Sequence, residues 1–242
     1  MAKIRREESG SKRTYDWPRP AVTVDIAVFT VEGTLNELRL KVLLVERGQD
    51  PFKGSWALPG GFVHEHEDLP AAASRELLEE TGLSNVFLEQ VAAVGTPGRD
   101  PRSHTVTIVY VALVPADRHV LHSTGDARAA RWFDVDRLPA LAFDHGKLLA
   151  MALEHLRRRL GETPIAFELL PKDFTLSELQ SLCEVILGRP LDRRNFRRKV
   201  QDAGFVTPVK GKREGRHRPA QLFRFVPKAF ERYTEDEGEL PF

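Results

Sequence analysis

Between Gly61 and Leu83 the chain reads GFVHEHEDLPAAASRELLEETGL, and no other stretch limits its fold as strongly. Pro70 suits a first helical turn, Ala71 to Leu78 are strong helix formers, and Gly82 fits the left-handed position just past a helix end. At about 100° per residue, Glu76, Glu79 and Glu80 fall within roughly 100° of one another, opposite Leu78, Ala71 and Ser74. The spacing predicts a helix with one packed face and one face bearing three carboxylates. Like charges three and four apart destabilise a helix by about 0.2–0.5 kcal/mol per pair, and no lysine is interleaved to relieve them. A divalent cation would turn that repulsion into coordination, and clustered carboxylate oxygens suit Mg²⁺ or Mn²⁺. A solvated acidic helix face is the competing reading.

The same residues resemble the Nudix box: a glycine, five residues, a glutamate, seven residues, then R-E-hydrophobic-x-E-E-x-G-hydrophobic. Gly61, Glu67, Arg75, Glu76, Leu77, Glu79, Glu80, Gly82 and Leu83 fill every specified position. The resemblance implies an α/β/α sandwich around a mixed sheet, and hydrolysis of a nucleoside diphosphate linked to another moiety with bound Mg²⁺ or Mn²⁺. It implies Glu76, Glu79 and Glu80 as metal ligands, aided by the carbonyl of Gly60 or Gly61, with Glu76 also a base in some members. Arg75 would orient the carboxylates, and Glu67 would support the loop-helix unit.

A length of 242 residues favours two domains. The single cysteine, Cys183, excludes an internal disulfide and a zinc cluster, which points to the reducing cytoplasm. It falls on the Leu176, Leu179, Ile186 side of a predicted helix, as a packed thiol would. No apolar run reaches about 18 residues and the N-terminus lacks an apolar signal core, so neither a membrane span nor secretion is expected. Charge is segregated. Arg189 to Arg218 hold 11 lysines and arginines against 3 acids, a surplus of 8, so in a chain of net charge +1 the remainder carries −7. Such segregation suggests a polyanion partner for one region and a metal-binding acidic region elsewhere.

In chain order, residues 1–20 read as a flexible arm, and a first domain is expected over 21–162. Ala21 to Val31 and Leu38 to Val45 are apolar runs separated by Glu32-Gly33-Thr34, the pattern of a hairpin. Trp56, in the turn-rich approach to the box, either stacks on a base or packs in the core. Val86 to Val94 and Thr105 to Val114 read as two further strands, joined by a loop carrying Arg99 and Arg102. Arginine forks suit pyrophosphate, so both are candidate substrate contacts, solvated loop arginines being the alternative. A proline about fifteen residues past the box marks relatives acting on ADP-ribose, and Pro97 lies near that offset. Related enzymes often draw another carboxylate from a later loop, where Asp126 is the candidate, or an ordinary turn aspartate. A strand near Ala130 to Phe133 and a helix from about Lys147 to Leu160 complete the domain. His64, His66, His104 and His145 lack a ligand spacing, and His64 and His66 read as loop residues.

A second domain is expected over 163–233, with an acidic tail over 234–242. Thr175 and Glu178 have the capping-box spacing at the start of a helix whose Leu176, Leu179, Leu182, Cys183 and Ile186 point inward. After Gly188 and Pro190, Asp192 caps a second helix, with Leu191 and Phe196 spaced as a hydrophobic staple. Phe196, Val200 and Ala203 define its buried face and Arg194, Arg198 and Gln201 point away, with Asn195 and Arg197 on the flanks and Arg193 nearer the packed side. These side chains suit base edges and phosphates. Phe205 to Val209 and Leu222 to Val226 form a hairpin whose tip carries Lys212, Arg213, Arg216 and Arg218. The order of elements reads as a winged helix-turn-helix that binds double-stranded DNA, against a basic surface domain as the alternative, and makes the whole chain α+β.

The combination resembles the Nudix-related transcriptional regulators of NAD metabolism. That resemblance implies a homodimeric repressor of NAD biosynthesis or salvage genes, reading a palindromic site and released by ADP-ribose or a related nucleotide. Many such regulators have degraded boxes, whereas this one is complete, which suggests retained hydrolysis of ADP-ribose to AMP and ribose 5-phosphate. A metabolic Nudix ADP-ribose pyrophosphatase with a non-regulatory C-terminal domain is the alternative.

Overall fold

The fold is seen in a computed structural model, which describes residue 17 and residues 19–35, 37–115, 127–213 and 219–237. Strand β1 (Ala21–Glu32) is its spine, buried from Thr23 to Val31 without alternation. Strand β6 (Thr105–Leu113) runs parallel to it along Ala21 to Phe29. The other edge of β1 is divided. Its first half pairs with β4 (Gly60–Phe62) and its end with β2 (Arg39–Arg47), both antiparallel. Strands β3 (Trp56–Ala57) and β7 (Ala127–Asp134) add to β2, and β5 (Phe87–Val94) lies antiparallel to β6, giving a mixed sheet of seven strands among the described residues.

Both sheet faces are covered, which is why β1 reads as a continuous apolar run. Val24, Ile26 and Val28 meet Ala72, Ala73 and Leu77 of α1 (Leu69–Thr81). Ala27, Phe29 and Val31 meet Leu148, Leu149, Ala152 and Leu156 of α2 (His145–Glu162). The sandwich is the one the sequence predicts, but α1 is turned differently. Ala71, Ser74 and Leu78, expected on the packed side, are exposed, Leu78 to 50%. Ala72, Ala73 and Leu77 enter the core, and Glu76 is buried next to them. The acidic stripe thus borders the packed stripe instead of opposing it. A helical wheel gives angular separations; which side meets the sheet is decided by small alanines that allow close approach and by a cation that neutralises Glu76, described below.

Past α2 a short 3₁₀ helix (Pro164–Leu169) leads into α3 (Leu176–Leu187), α4 (Arg193–Asp202), the β8 (Val206–Arg213) and β9 (Ala220–Phe225) hairpin, and α5 (Pro227–Glu237). The predicted caps are present. Thr175 and Glu178 make the reciprocal capping box, and the Asp192 carboxylate accepts the Asn195 N–H at 2.7 Å. The inward residues of α3, Cys183 included, are buried, and burial pushes the Cys183 thiol up, away from reactive thiolate. Two expectations need correction. Residues 234–237, read as the start of an acidic tail, continue α5, while 238–242 lie outside the described residues. Arg193, read as nearer the packed side, is exposed, because at the first position of α4 it precedes Phe196 and Val200, the residues that the helix buries.

One hydrophobic cluster runs from the sheet through Leu156 and Leu160 of α2, across Ile165 and Leu169, to Phe174, Leu182, Phe205 and Phe230. Arg157 reinforces the joint by donating from Nε to the Ile186 carbonyl of α3 at 2.9 Å. Phe205 is fully buried against Phe167, Phe230 and Tyr233. Phe205→Ala is expected to lower stability by about 3–5 kcal/mol in urea unfolding, through lost transfer energy and a residual cavity.

Candidate functional site

Helix α1 is fixed at both ends by its own sequence. The Asp68 carboxylate accepts the Leu69 N–H at 2.9 Å, Pro70 occupies the first turn, and Gly82, at φ 76°, returns its N–H to the Leu78 carbonyl. The helix delivers Arg75, Glu76, Glu79 and Glu80 to the lip of a cavity of about 420 Å³. Arg75 is the hub. Its Nε and Nη2 grip the two oxygens of Glu67 at 2.7 and 2.9 Å, its Nη2 also donates to the Phe62 carbonyl, and its Nη1 reaches Glu76 at 2.7 Å and Glu79 at 3.3 Å. Arg75, with the His64 N–H, holds the Glu67 carboxyl down at about 2. The repulsion within the acidic stripe is therefore offset by an arginine inside the same motif.

Glu80 is under different pressure. Burial, then the nearby Glu76 and Asp25 charges, push its carboxyl up to about 8, against a hydrogen bond from the Gly60 N–H at 2.9 Å. Gly61 has a steric role, since any Cβ there would sit on the Glu76 carboxylate. These groups suit a hard divalent cation in type. They are carboxylate and backbone oxygens, and the Glu80 carboxyl, raised chiefly by burial, is one that a bound cation would help to ionise. Among the described residues, however, no three acidic or histidine side chains are gathered into a ready cage. Glu76 and Glu79 turn to Arg75, and Glu80 to Gly60.

The opposite wall contains residues the sequence did not single out. Asp25 sits within apolar β1 and His145 opens α2; both line the cavity with Arg47 and Phe143, and Asp144, just before α2, joins them through Arg99. His145 accepts the Leu58 N–H on Nδ1 at 2.9 Å and presents Nε2 to Asp25 at 3.5 Å; burial lowers its pKa, so the ring is a neutral donor at Nε2. A lone aspartate in a run of buried β-branched residues is the signal that could have exposed this wall.

The expected substrate contacts are distributed unevenly. Arg99 lines the cavity, but its side chain is only 5% exposed and closes on Asp144 at 2.8 and 3.2 Å and on Asp25 at 3.4 Å. Arg102 also lines it, paired in a fork with Asp100. Trp56 lies outside the cavity lining, its ring edge-on to Phe133 at 4.8 Å, which is the packing alternative. Pro97 is on an exposed turn outside the lining, and Asp126 lies outside the described residues.

In the second half of the chain, α4 presents Arg194, Asn195, Arg198 and Gln201 to solvent, with Arg198 donating to the Asn195 carbonyl oxygen at 2.9 Å. Arg197 is half-buried and donates to the Ser177 hydroxyl at 2.7 Å. Arg213 is tied to Glu178 and to the Asp173 carbonyl. The side chain of Lys212, and Arg216 and Arg218 altogether, lie outside the described residues. No described helix is long and apolar enough to cross a membrane.

Comparison with known proteins follows this division. The NUDIX domain family matches residues 19–152, and the NrtR DNA-binding winged helix domain matches residues 166–225. An ADPR responsive transcriptional repressor NtrR from Acinetobacter baylyi is 39% identical over 218 residues, covering 87% of this chain and 84% of the relative. An ADP-ribose pyrophosphatase from Methanocaldococcus jannaschii is 41% identical over 130 residues, 54% of this chain and 71% of that protein. Among solved structures, Shewanella oneidensis NrtR complexed with a 27mer DNA superposes with a TM-score of 0.74 at 36% identity, covering 87% of this chain and 95% of that one.

Proposed function

Because this chain belongs to the Nudix family, in the NrtR branch that adds a DNA-binding winged helix, we propose that it is a repressor whose hold on DNA responds to ADP-ribose. We further propose that its cavity hydrolyses ADP-ribose to AMP and ribose 5-phosphate. The observation that carries the reading is one helix with two duties. The first turn of α2 lines the cavity with His145, and its last turns pack on α3, which in turn packs against α4, the helix that presents Arg194, Asn195, Arg198 and Gln201. The chain acts as a homodimer, each copy reading half of a palindromic site that controls genes of NAD biosynthesis or salvage.

In this reading Glu76, Glu79 and Glu80, with the Gly61 carbonyl, hold Mg²⁺ or Mn²⁺. The ion, when bound, supplies Lewis acidity toward a pyrophosphate oxygen and offsets the charge that develops there. Arg75 keeps Glu76 and Glu79 at the lip, held in turn by Glu67. Neutral His145 holds the Leu58 backbone and orients Asp25 in the cavity wall. Arg194, Asn195, Arg198 and Gln201 contact the major groove, and Arg197, Lys212, Arg213, Arg216 and Arg218 contribute positive field toward the phosphates.

The engagement of the Glu76 and Glu79 carboxylates by Arg75 favours a second reading, a sensor that binds ADP-ribose without cleaving it. One tube separates the two. A gel shift on the chain's own upstream duplex, with Mg²⁺ and ADP-ribose, is expected to lose the complex and then regain it as AMP accumulates. Release without AMP identifies the sensor, and no shift at low salt rejects the regulator altogether. The shift should weaken steeply with added salt, as phosphate neutralisation requires.

A further inference from the structure

Among the described residues four arginines line the cavity, and three are already matched. Arg75 is shared among Glu67, Glu76 and Glu79, Arg99 closes on Asp144 and Asp25, and Arg102 on Asp100. Arg47, at the end of β2, is different. Its Nε donates to the Pro51 carbonyl at 2.9 Å and its Nη2 lies 3.5 Å from the Gln49 carbonyl. Among the described residues no carboxylate pairs with it. Its guanidinium carbon stands 4.7 Å from the centre of the Phe143 ring, and that of Arg102 stands 5.6 Å from the same ring. Two like charges thus converge on one aromatic plane at the cavity wall.

Phe143 is itself held in an uncommon conformation. Its φ is 51°, a region that bulky residues seldom occupy, and it is kept there by Phe52 edge-on at 4.7 Å and His145 stacked at 5.3 Å. The ring is therefore a fixed shelf that sets the height of the Arg47 fork. Burial and then the Arg102 charge lower the Arg47 pKa, a strain that an incoming anion would relieve.

We propose that Arg47, levelled on Phe143 and backed by Arg102, is the residue that receives the phosphate oxygens of a nucleoside diphosphate ligand. This rests on the proposed function and names the selecting group within that site. A guanidinium already fixed at Nε by a carbonyl loses little freedom on binding, and its remaining N–H groups match phosphate geometry. It also supplies positive charge beyond that of Arg75, which the Glu67, Glu76 and Glu79 carboxylates already occupy, so a ligand lacking the diphosphate gains nothing from it.

The test is calorimetric titration of the full chain in chelator, where no turnover intervenes, with ADP-ribose, inorganic pyrophosphate and adenosine as probes. In Arg47→Met the Kd for ADP-ribose and pyrophosphate should rise roughly 10- to 100-fold, the range of a lost charge-assisted contact, and adenosine binding should not change. Arg47→Lys, which keeps the charge and the stem, should recover most of the loss and guards against a misfolded variant. DNA shift without ligand should be unaltered in both. If ADP-ribose binds wild type and Arg47→Met equally, the proposal is overturned while the function stands. If pyrophosphate binds and depends on Arg47 but ADP-ribose does not bind, the proposal stands and the effector reading fails. If neither anion binds the wild type, both fall.

Discussion

Glu80→Gln is expected to cut ADP-ribose turnover by on the order of 10³-fold or more, because the site loses a charge directed at the cation that the proposed hydrolysis would require. The fold should survive the change. A glutamine carbonyl oxygen can still accept the Gly60 N–H that the Glu80 carboxylate holds at 2.9 Å. DNA shift should therefore be retained, and release by ADP-ribose should become lasting, since nothing removes the effector. If DNA binding disappeared with the fold intact, the separation of cavity from recognition helix would be wrong.

The same variant carries a pH signature. In the folded chain without metal the Glu80 carboxyl is pushed from 4.5 to about 8 by burial. Between those values the native state holds a proton that the unfolded chain has released, so this group favours folding below 4.5 and its contribution falls as pH rises through 8. Glutamine has no proton to release. Urea midpoints in chelator should consequently decline less for Glu80→Gln than for wild type over that window, and parallel curves would contradict the charge-deficient site.

The second large effect is expected at Arg99. Arg99→Met should lower unfolding free energy by about 3–5 kcal/mol, since it leaves the buried Asp25 and the half-buried Asp144 without their cation. The loss should be visible without any ligand, in chelator, and Arg99→Met, Asp144→Ala together should be less destabilising than the single changes imply. A variant of normal stability with weakened ADP-ribose binding would instead return Arg99 to the role of a free substrate contact.

That contrast shows what a sequence conveys and what it does not. The caps at Thr175 and Asp192 and the inward stripe of α3 depend on spacings of three or four residues and the box on one continuous stretch from Gly61 to Leu83, and all are legible along the chain. The opposite wall is not. Asp25, Arg99, Asp144 and His145 are brought together from a strand, a loop and a helix start, and Arg99 meets Asp144 across 45 positions. Whether an arginine in a loop is free or matched depends on such distant partners. The outward face of Leu78 was unreadable for a related reason, since the helix alone does not say that Arg75 would let Glu76 be buried.

The shared core around α2 bears on how such a chain could be re-engineered. Leu156 and Leu160 belong as much to the DNA-binding half as to the sheet, and Arg157 caps the junction at Ile186. A graft that moved only the winged helix onto another receptor would strip Ile165, Leu169 and Ile186 of their cover, leaving an apolar face prone to self-association. The transplantable unit therefore begins at His145, inside the cavity, so any new receptor would inherit part of the old ligand site along with its output.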